Sequence, residues 1–223
     1  MFKNYQEMKD KARALGKVRM SVAAANDMDV LMAVKMALEE GITEPVLVGD
    51  EPSIRRMMKE TGLPDTIEVI HEVDEAASAL EAVKLVSQGK ADILMKGLVN
   101  TSVFMKAVLD REWGLRTGRL LSHLAVFEIP GSERLLFHSD GGINVAPDLE
   151  QKKEILINAL LALREMGIEN PNVAVLTANE KVSDKMPATV DAAELVKMNN
   201  EGAFPLPCVM EGPIALDVAV DPH

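Results

Sequence analysis

The sequence predicts an α/β protein: two α/β domains with mainly parallel sheets covered by helices. Three observations carry that prediction. Helical and strand periods alternate over residues 3–110 with short connections, the pattern of βαβα units that place helices on both faces of a sheet. Glycines stand at 16, 41, 62 and 89, where helical periods end and a left-handed cap is easily formed. The alternation then breaks over 111–119, at Gly114, Thr117 and Gly118, before a second series begins. The boundary gives an N-terminal domain, 1–118, and a second domain, 119–223.

Residues 3–16 read as a polar, amphipathic helix ending near Gly16, and 18–25 as a strand. The helix over 28–40 puts Val30, Leu31, Val34 and Leu38 on one face and stops at Gly41. A strand over 45–48 ends at Gly49 and Asp50; a short helix, 52–61, and a strand, 66–70, follow. The helix over 74–88 aligns Ala76, Ala79, Leu80 and Val83, and a strand over 91–95 leads into a helix over 101–110. In the second domain, strands over 120–128 and 134–139 are joined by Ile129, Pro130, Gly131 and Ser132. Pro-Gly suits the centre of a type II turn, so these strands should pair antiparallel. A helix over 148–167 starts near Asp148, followed by a strand over 173–177, a helix over 189–201 and an extended stretch over 209–218. No helix follows to cover that last apolar stretch, so the second domain is expected to be incomplete at its C-terminus.

Composition narrows the function. Hydrophobic residues make up 48% of the 223, enough for a genuine core, and a charged fraction of 26% excludes a disordered chain. With aromatics at only 3%, the 14 methionines are expected to fill the interior. A net charge of −11 without any Lys/Arg run excludes nucleic acid as a partner. An anion would have to be bound locally, by backbone N–H groups and a few cations. The one cysteine, Cys208, excludes a disulfide framework and a multi-cysteine metal site, and its apolar neighbours point to a buried, inert thiol. Residues 1–17 lack the apolar core of a signal peptide, and no apolar run approaches the ~20 residues needed to span a bilayer. A cytoplasmic protein without a membrane partner is expected.

Five segments carry chemistry. Residues 93–102 run from a buried strand through Lys96 and Gly97 into a helix capped by Asn100 or Thr101. Ligands in open α/β sheets bind beyond the carboxyl ends of the strands, where a helix start offers free N–H groups to an anion. A capped helix with a solvated lysine fits those residues equally well. Arg116 and Arg119 bracket a turn at the boundary, followed by Ser122 and His123; arginine is the natural partner of phosphate, although two solvated arginines fit as well. His138, Asp140, Gly141, Gly142 and Asn144 cluster after a strand, a polar turn with too few partners for a metal. The loop over 177–185 contributes Lys181 and Ser183. Asp217 lies between Leu216 and Val218, where a carboxylate needs a partner or a role. No dinucleotide or P-loop glycine pattern, nucleophile elbow or zinc signature occurs, so neither a covalent intermediate nor a cofactor is required.

Together, the segments MKGLVNTSVFMKAVL (95–109), LLSHLAVFEIPG (120–131), LLFHSDGGINVAPDLEQK (135–152), VAVLTANEKVSDKMP (173–187) and EGPIALDVAV (211–220) resemble the phosphate acetyltransferase and phosphate butyryltransferase family, the butyryl branch most closely. The resemblance implies two α/β domains with the active site in the cleft between them, and a homo-oligomer. It implies the reaction of acyl-CoA with inorganic phosphate to give acyl phosphate and free coenzyme A, by direct attack within a ternary complex and with no cofactor. By the same resemblance Ser122 and Asn144 are catalytic, as neutral donors to the substrate carbonyl or phosphate. Lys96, Gly97, Asn100, Thr101, Arg116, Arg119, His123, Asp140, Lys181 and Ser183 bind substrate. The acetyl branch shows His-Thr-Thr where this chain has Asn100, Thr101 and Ser102, and Ser-Ser where it has Ser122 and His123. The family's Ser-Arg pair and thiol-handling carboxylate have no match in residues 1–223, so turnover is expected to need more than these residues. The alternatives are a non-catalytic regulatory or assembly domain of this type, and a phosphate acyltransferase of different chain length. A metal- and nicotinamide-dependent dehydrogenase would need clustered aspartates that are absent.

Overall fold

The computed structural model describes residues 2–220, which divide into two compact units. One comprises Tyr5–Gly118; the other takes the described residues from Arg119 onward together with 2–4.

The first unit is a four-stranded parallel sheet with helices. Its elements are α1 (Tyr5–Leu15), β1 (Val18–Ala23), α2 (Met28–Glu39), β2 (Thr43–Gly49), α3 (Glu51–Thr61), β3 (Glu68–His71), α4 (Glu75–Ser87), β4 (Ile93–Lys96) and α5 (Thr101–Val108). The sheet order is β3-β2-β1-β4, and every pair is parallel. Asp27 and Asp74 start α2 and α4 by accepting from the N–H groups of Val30 and Ala77, and all four expected glycine caps adopt positive φ. Two cores lie against the sheet. Val46, Val48, Ala79, Ala82 and Val83 pack in one, and Val22, Leu31, Leu47, Ile54 and Met58 in the other. Leu31, Leu47, Ile54 and Met58 are fully buried, each worth roughly 1.5–3 kcal/mol. Methionine is only partly the interior filler it was expected to be. Met20 and Met58 are buried, but Met28, Met32 and Met36 leave one side of α2 exposed.

The order of the sheet positions the first candidate segment. From β1 the chain steps outward to β2 and β3, then crosses to β4 on the other side of β1. The topological switch therefore falls between the carboxyl ends of β1 and β4, where open sheets form a crevice.

The second unit contains β5 (Ala125–Phe127), β6 (Leu136–His138), α6 (Leu149–Glu165), β7 (Asn172–Leu176), α7 (Pro187–Asn200), β8 (Val209–Ile214) and α8 (Leu216–Val220). β5 and β6 pair antiparallel, and the Ser132 N–H donates to the Ile129 carbonyl with Gly131 at φ +85°, the expected type II geometry. β7 and β8 pair in parallel. Leu160, Leu195, Phe204 and Met210 form the core that α6 and α7 build against this pair. Asp148 and Gln151 close a reciprocal capping box at the start of α6, and Lys152 binds Asp191 of α7 at 2.5 Å.

Two expectations fail here. The strand over 120–128 shrinks to three residues, for a reason found at the site. The extended stretch over 209–218 ends at Ile214 and turns into α8, so Asp217 is an exposed first-turn acid and not a carboxylate among apolar side chains. Among the described residues no helix is long and apolar enough to cross a membrane.

Candidate functional site

At the end of β4 the chain is stapled to β1. The N–H of Gly97 donates to the Ala23 carbonyl at 2.9 Å, and that of Leu98 to the Ala24 carbonyl at 3.0 Å. Ala24 is held at φ +47°, and its N–H donates to the buried hydroxyl of Ser78, which in turn donates to the Val48 carbonyl. Lys96 is exposed, its Nζ 3.4 Å from the Gly97 carbonyl. Asn100 caps α5, its side chain accepting from the N–H and hydroxyl of Ser102, and Thr101 opens the helix in an exposed position.

The expectation of free donors at this turn needs revision. The Asn100 N–H donates to the Glu75 carboxylate, and the Ser102 N–H is taken by the Asn100 cap. An acid from the start of α4 thus already satisfies part of what an anion would find there.

The second unit gathers residues far apart in sequence around the segment that opens it. Asn158, in the middle of α6, donates through its Nδ2 to the Leu120 carbonyl at 2.7 Å and to the Ser122 Oγ at 3.0 Å. Asn144 donates through its Nδ2 to the Leu121 carbonyl at 2.9 Å and to the Asp140 carboxylate at 2.5 Å. The Ser139 hydroxyl donates to the His123 carbonyl at 2.6 Å. Three side-chain donors thereby occupy the Leu120, Leu121 and His123 carbonyls, backbone groups that a longer β5 would have used in its ladder, which is why the strand begins only at Ala125. Gly141 lies against the His123 ring, with Nδ1 2.9 Å from where a Cβ would stand.

Asp140 organises its turn. Its carboxylate accepts from the N–H groups of Gly142, Ile143 and Asn144 besides the Asn144 side chain. Burial pushes its carboxyl up, but these hydrogen bonds together outweigh burial and hold it below the ordinary aspartate value. Asp140 is therefore charged at neutral pH, and its grip on the turn weakens only as pH falls through that lowered value. Both amide hydrogens of Asn144 are engaged in this structure, by the Leu121 carbonyl and the Asp140 carboxylate, so Asn144 fixes the turn. Ser122 keeps its hydroxyl hydrogen. His138 packs edge-on against Phe127 with ring centroids 6.5 Å apart. Among the described residues no group of three or more His, Cys, Asp or Glu could hold a metal ion.

The remaining candidates make contacts of their own. Arg119 pairs with Glu154 at 3.1 Å beside a groove walled by Ile157, Ala203, Phe204 and Pro205, so its charge is partly spent. Arg116 is exposed in the first unit. Lys181 is exposed, its N–H donating to the Asn179 side chain. The Ser183 N–H donates to the buried Thr189 hydroxyl at the start of α7, so Ser183 sits in a fixed turn. Asn158 was missed in the sequence, though a signal existed: it is a lone amide in the apolar run Ile155-Leu156-Ile157-Asn158-Ala159-Leu160, where a polar group needs a partner.

Cys208 is half-buried, and its thiol donates to the Asn199 Oδ1 at 3.2 Å. Burial pushes its pKa up, which keeps the thiolate scarce at neutral pH. Cys208→Ser is expected to leave activity nearly intact, and a maleimide should label the native protein slowly because the thiolate is scarce; rapid labelling would contradict the raised pKa.

Comparison with known proteins bears on the family and the fold. A family model described as "Phosphate acetyl/butaryl transferase" matches residues 64–223. A phosphate butyryltransferase of Clostridium acetobutylicum is 43% identical over 221 residues, covering 99% of this chain and 73% of that protein. A phosphate acetyltransferase of Thermotoga maritima is 42% identical over 217 residues, covering 96% of this chain and 72% of that protein. Among solved structures, a branched-chain phosphotransacylase from Enterococcus faecalis V583 superposes with a TM-score of 0.77 at 31% identity, over 91% of this chain and 70% of that one.

Proposed function

The chain belongs to the phosphate acetyltransferase and phosphate butyryltransferase family, and from that premise we propose that it exchanges coenzyme A and inorganic phosphate on a short-chain acyl group, butyryl or one of similar size. The observation that carries this reading is identity of 43% running along 99% of the chain, through every segment singled out above. The protein is an acyltransferase. Bound phosphate attacks the thioester carbonyl directly, the carbon–sulfur bond breaks, and acyl phosphate and coenzyme A thiol leave. No residue of the chain is acylated, so the protein's work is to hold two anionic substrates in reach of each other and to stabilise charge on the carbonyl oxygen. Ser122, whose hydroxyl hydrogen is free, is the donor to that oxygen or to phosphate. Asp140 and Asn144 shape the turn beside it. Lys96, with the Gly97–Thr101 turn, attracts phosphate, and Arg116, Arg119, His123, Lys181 and Ser183 contribute to binding coenzyme A or phosphate. The enzyme works in the cytoplasm as a homo-oligomer and needs no cofactor. Purified full-length protein given butyryl-CoA and phosphate should release thiol and form a hydroxylamine-trappable acyl phosphate, each dependent on the other substrate; thiol release without acyl phosphate would defeat the reading.

Lys96→Ala tests the phosphate assignment. Its exposed ammonium stands at a turn whose Asn100 N–H is already taken by Glu75. The KM for phosphate should rise by about tenfold or more, and that for acyl-CoA by less. Equal rises, or none, would take Lys96 out of the phosphate site.

A further inference from the structure

We infer that Asn158 is a positioning residue for the transfer reaction: it fixes the direction of the Ser122 hydroxyl proton. This rests on the reading of Ser122 as a substrate donor. The Leu120 carbonyl can only accept. Its 2.7 Å contact must therefore be to the amide nitrogen of Asn158, because the reverse orientation would set two oxygen lone pairs against each other. The same nitrogen lies 3.0 Å from the Ser122 Oγ, so its second hydrogen goes to the serine oxygen. The Ser122 oxygen is thereby an acceptor on the Asn158 side, and its own hydrogen is directed away from α6, available to a substrate oxygen. Without Asn158 the hydroxyl rotor samples its three staggered positions, one of them against the Leu120 or α6 groups. The amide also draws charge from the oxygen it donates to, which strengthens the serine as a donor. α6 supplies a rigid base for this arrangement: its start is locked by the Asp148–Gln151 capping box and it packs through Ile155 and Leu160 on either side of Asn158.

The test is a double-mutant cycle in the full-length protein. Asn158→Ala should lower kcat by about 3- to 10-fold with KM for both substrates changed less than about 2-fold. Asn158→Asp has the same shape but can only accept; it should turn the serine proton inward and bring kcat down toward the level of Ser122→Ala, about 10²-fold below the parent. In a Ser122→Ala background, either change at Asn158 should cost less than about 2-fold further, because the group it acts on is gone. Thermal melting of each variant separates loss of fold from loss of rate, and Asn158→Ala carries the cycle alone if the aspartate variant does not fold. Full additivity of Asn158→Ala and Ser122→Ala would overturn the inference while leaving Ser122 in the site. A near-normal kcat for Ser122→Ala by itself would overturn the reading beneath it, and the two failures are thus distinguishable.

Discussion

Ser122→Ala is expected to lower kcat by about 10²- to 10³-fold, the loss seen when a single donor to a developing oxyanion is removed. The KM values should move little, because a donor that strengthens as charge develops contributes mainly to the transition state. Folding should hardly notice. Ser122 is only half-buried, and the structure shows its hydroxyl accepting one hydrogen bond, from Asn158. The Asn158 amide keeps its bond to the Leu120 carbonyl after the change, so the structural cost is about 1 kcal/mol or less. A collapse of rate without a fall in melting temperature is therefore the signature. Activity within a few-fold of the parent would remove Ser122 from the chemistry, whatever the resemblance to other family members.

The same segment shows where sequence reasoning reaches its limit. In the first unit, periodicity, aspartate caps and glycine stops all act within a few residues, so α2, α4 and the strands between them could be placed closely from local pattern alone. The apolar run from Leu120 carries a strand pattern just as clear. Its backbone, however, is claimed by Asn158, Asn144 and Ser139, which lie 38, 23 and 16 residues away from the carbonyls they serve. Local propensity has no knowledge of donors at that distance, and the tertiary contacts override it. For the same reason Asn144 reads from sequence as a free donor, although both of its hydrogens are committed once the turn closes on Asp140. The α8 turn was missed for the opposite reason: it is five residues long, too short for a helical period to stand out from an apolar stretch.

Gly97→Ala is expected to damage the first unit severely. A Cβ at this position would stand 2.2 Å from the Ala23 carbonyl oxygen and 2.4 Å from that of Ala24, both backbone atoms at the end of β1. No side chain can rotate away to relieve such a contact, so the turn must move off β1. That movement breaks the bonds from Gly97 to Ala23 and from Leu98 to Ala24, each worth about 1 kcal/mol, on top of an overpacking cost of about 1–3 kcal/mol. A total of roughly 3–5 kcal/mol is a large part of the 5–15 kcal/mol that holds a domain together. The melting temperature should fall by roughly 10–20 °C, with phosphate affinity lost as the Lys96 turn is displaced. Gly89→Ala provides the control. Gly89 is exposed in the turn that ends α4, and at φ +69° it has open space around the added carbon, so only backbone strain of about 1–2 kcal/mol remains. If the two variants melted within a few degrees of each other, close approach of β1 and β4 would not be what requires glycine at position 97, and the crevice at the switch point would have more room than the structure gives it.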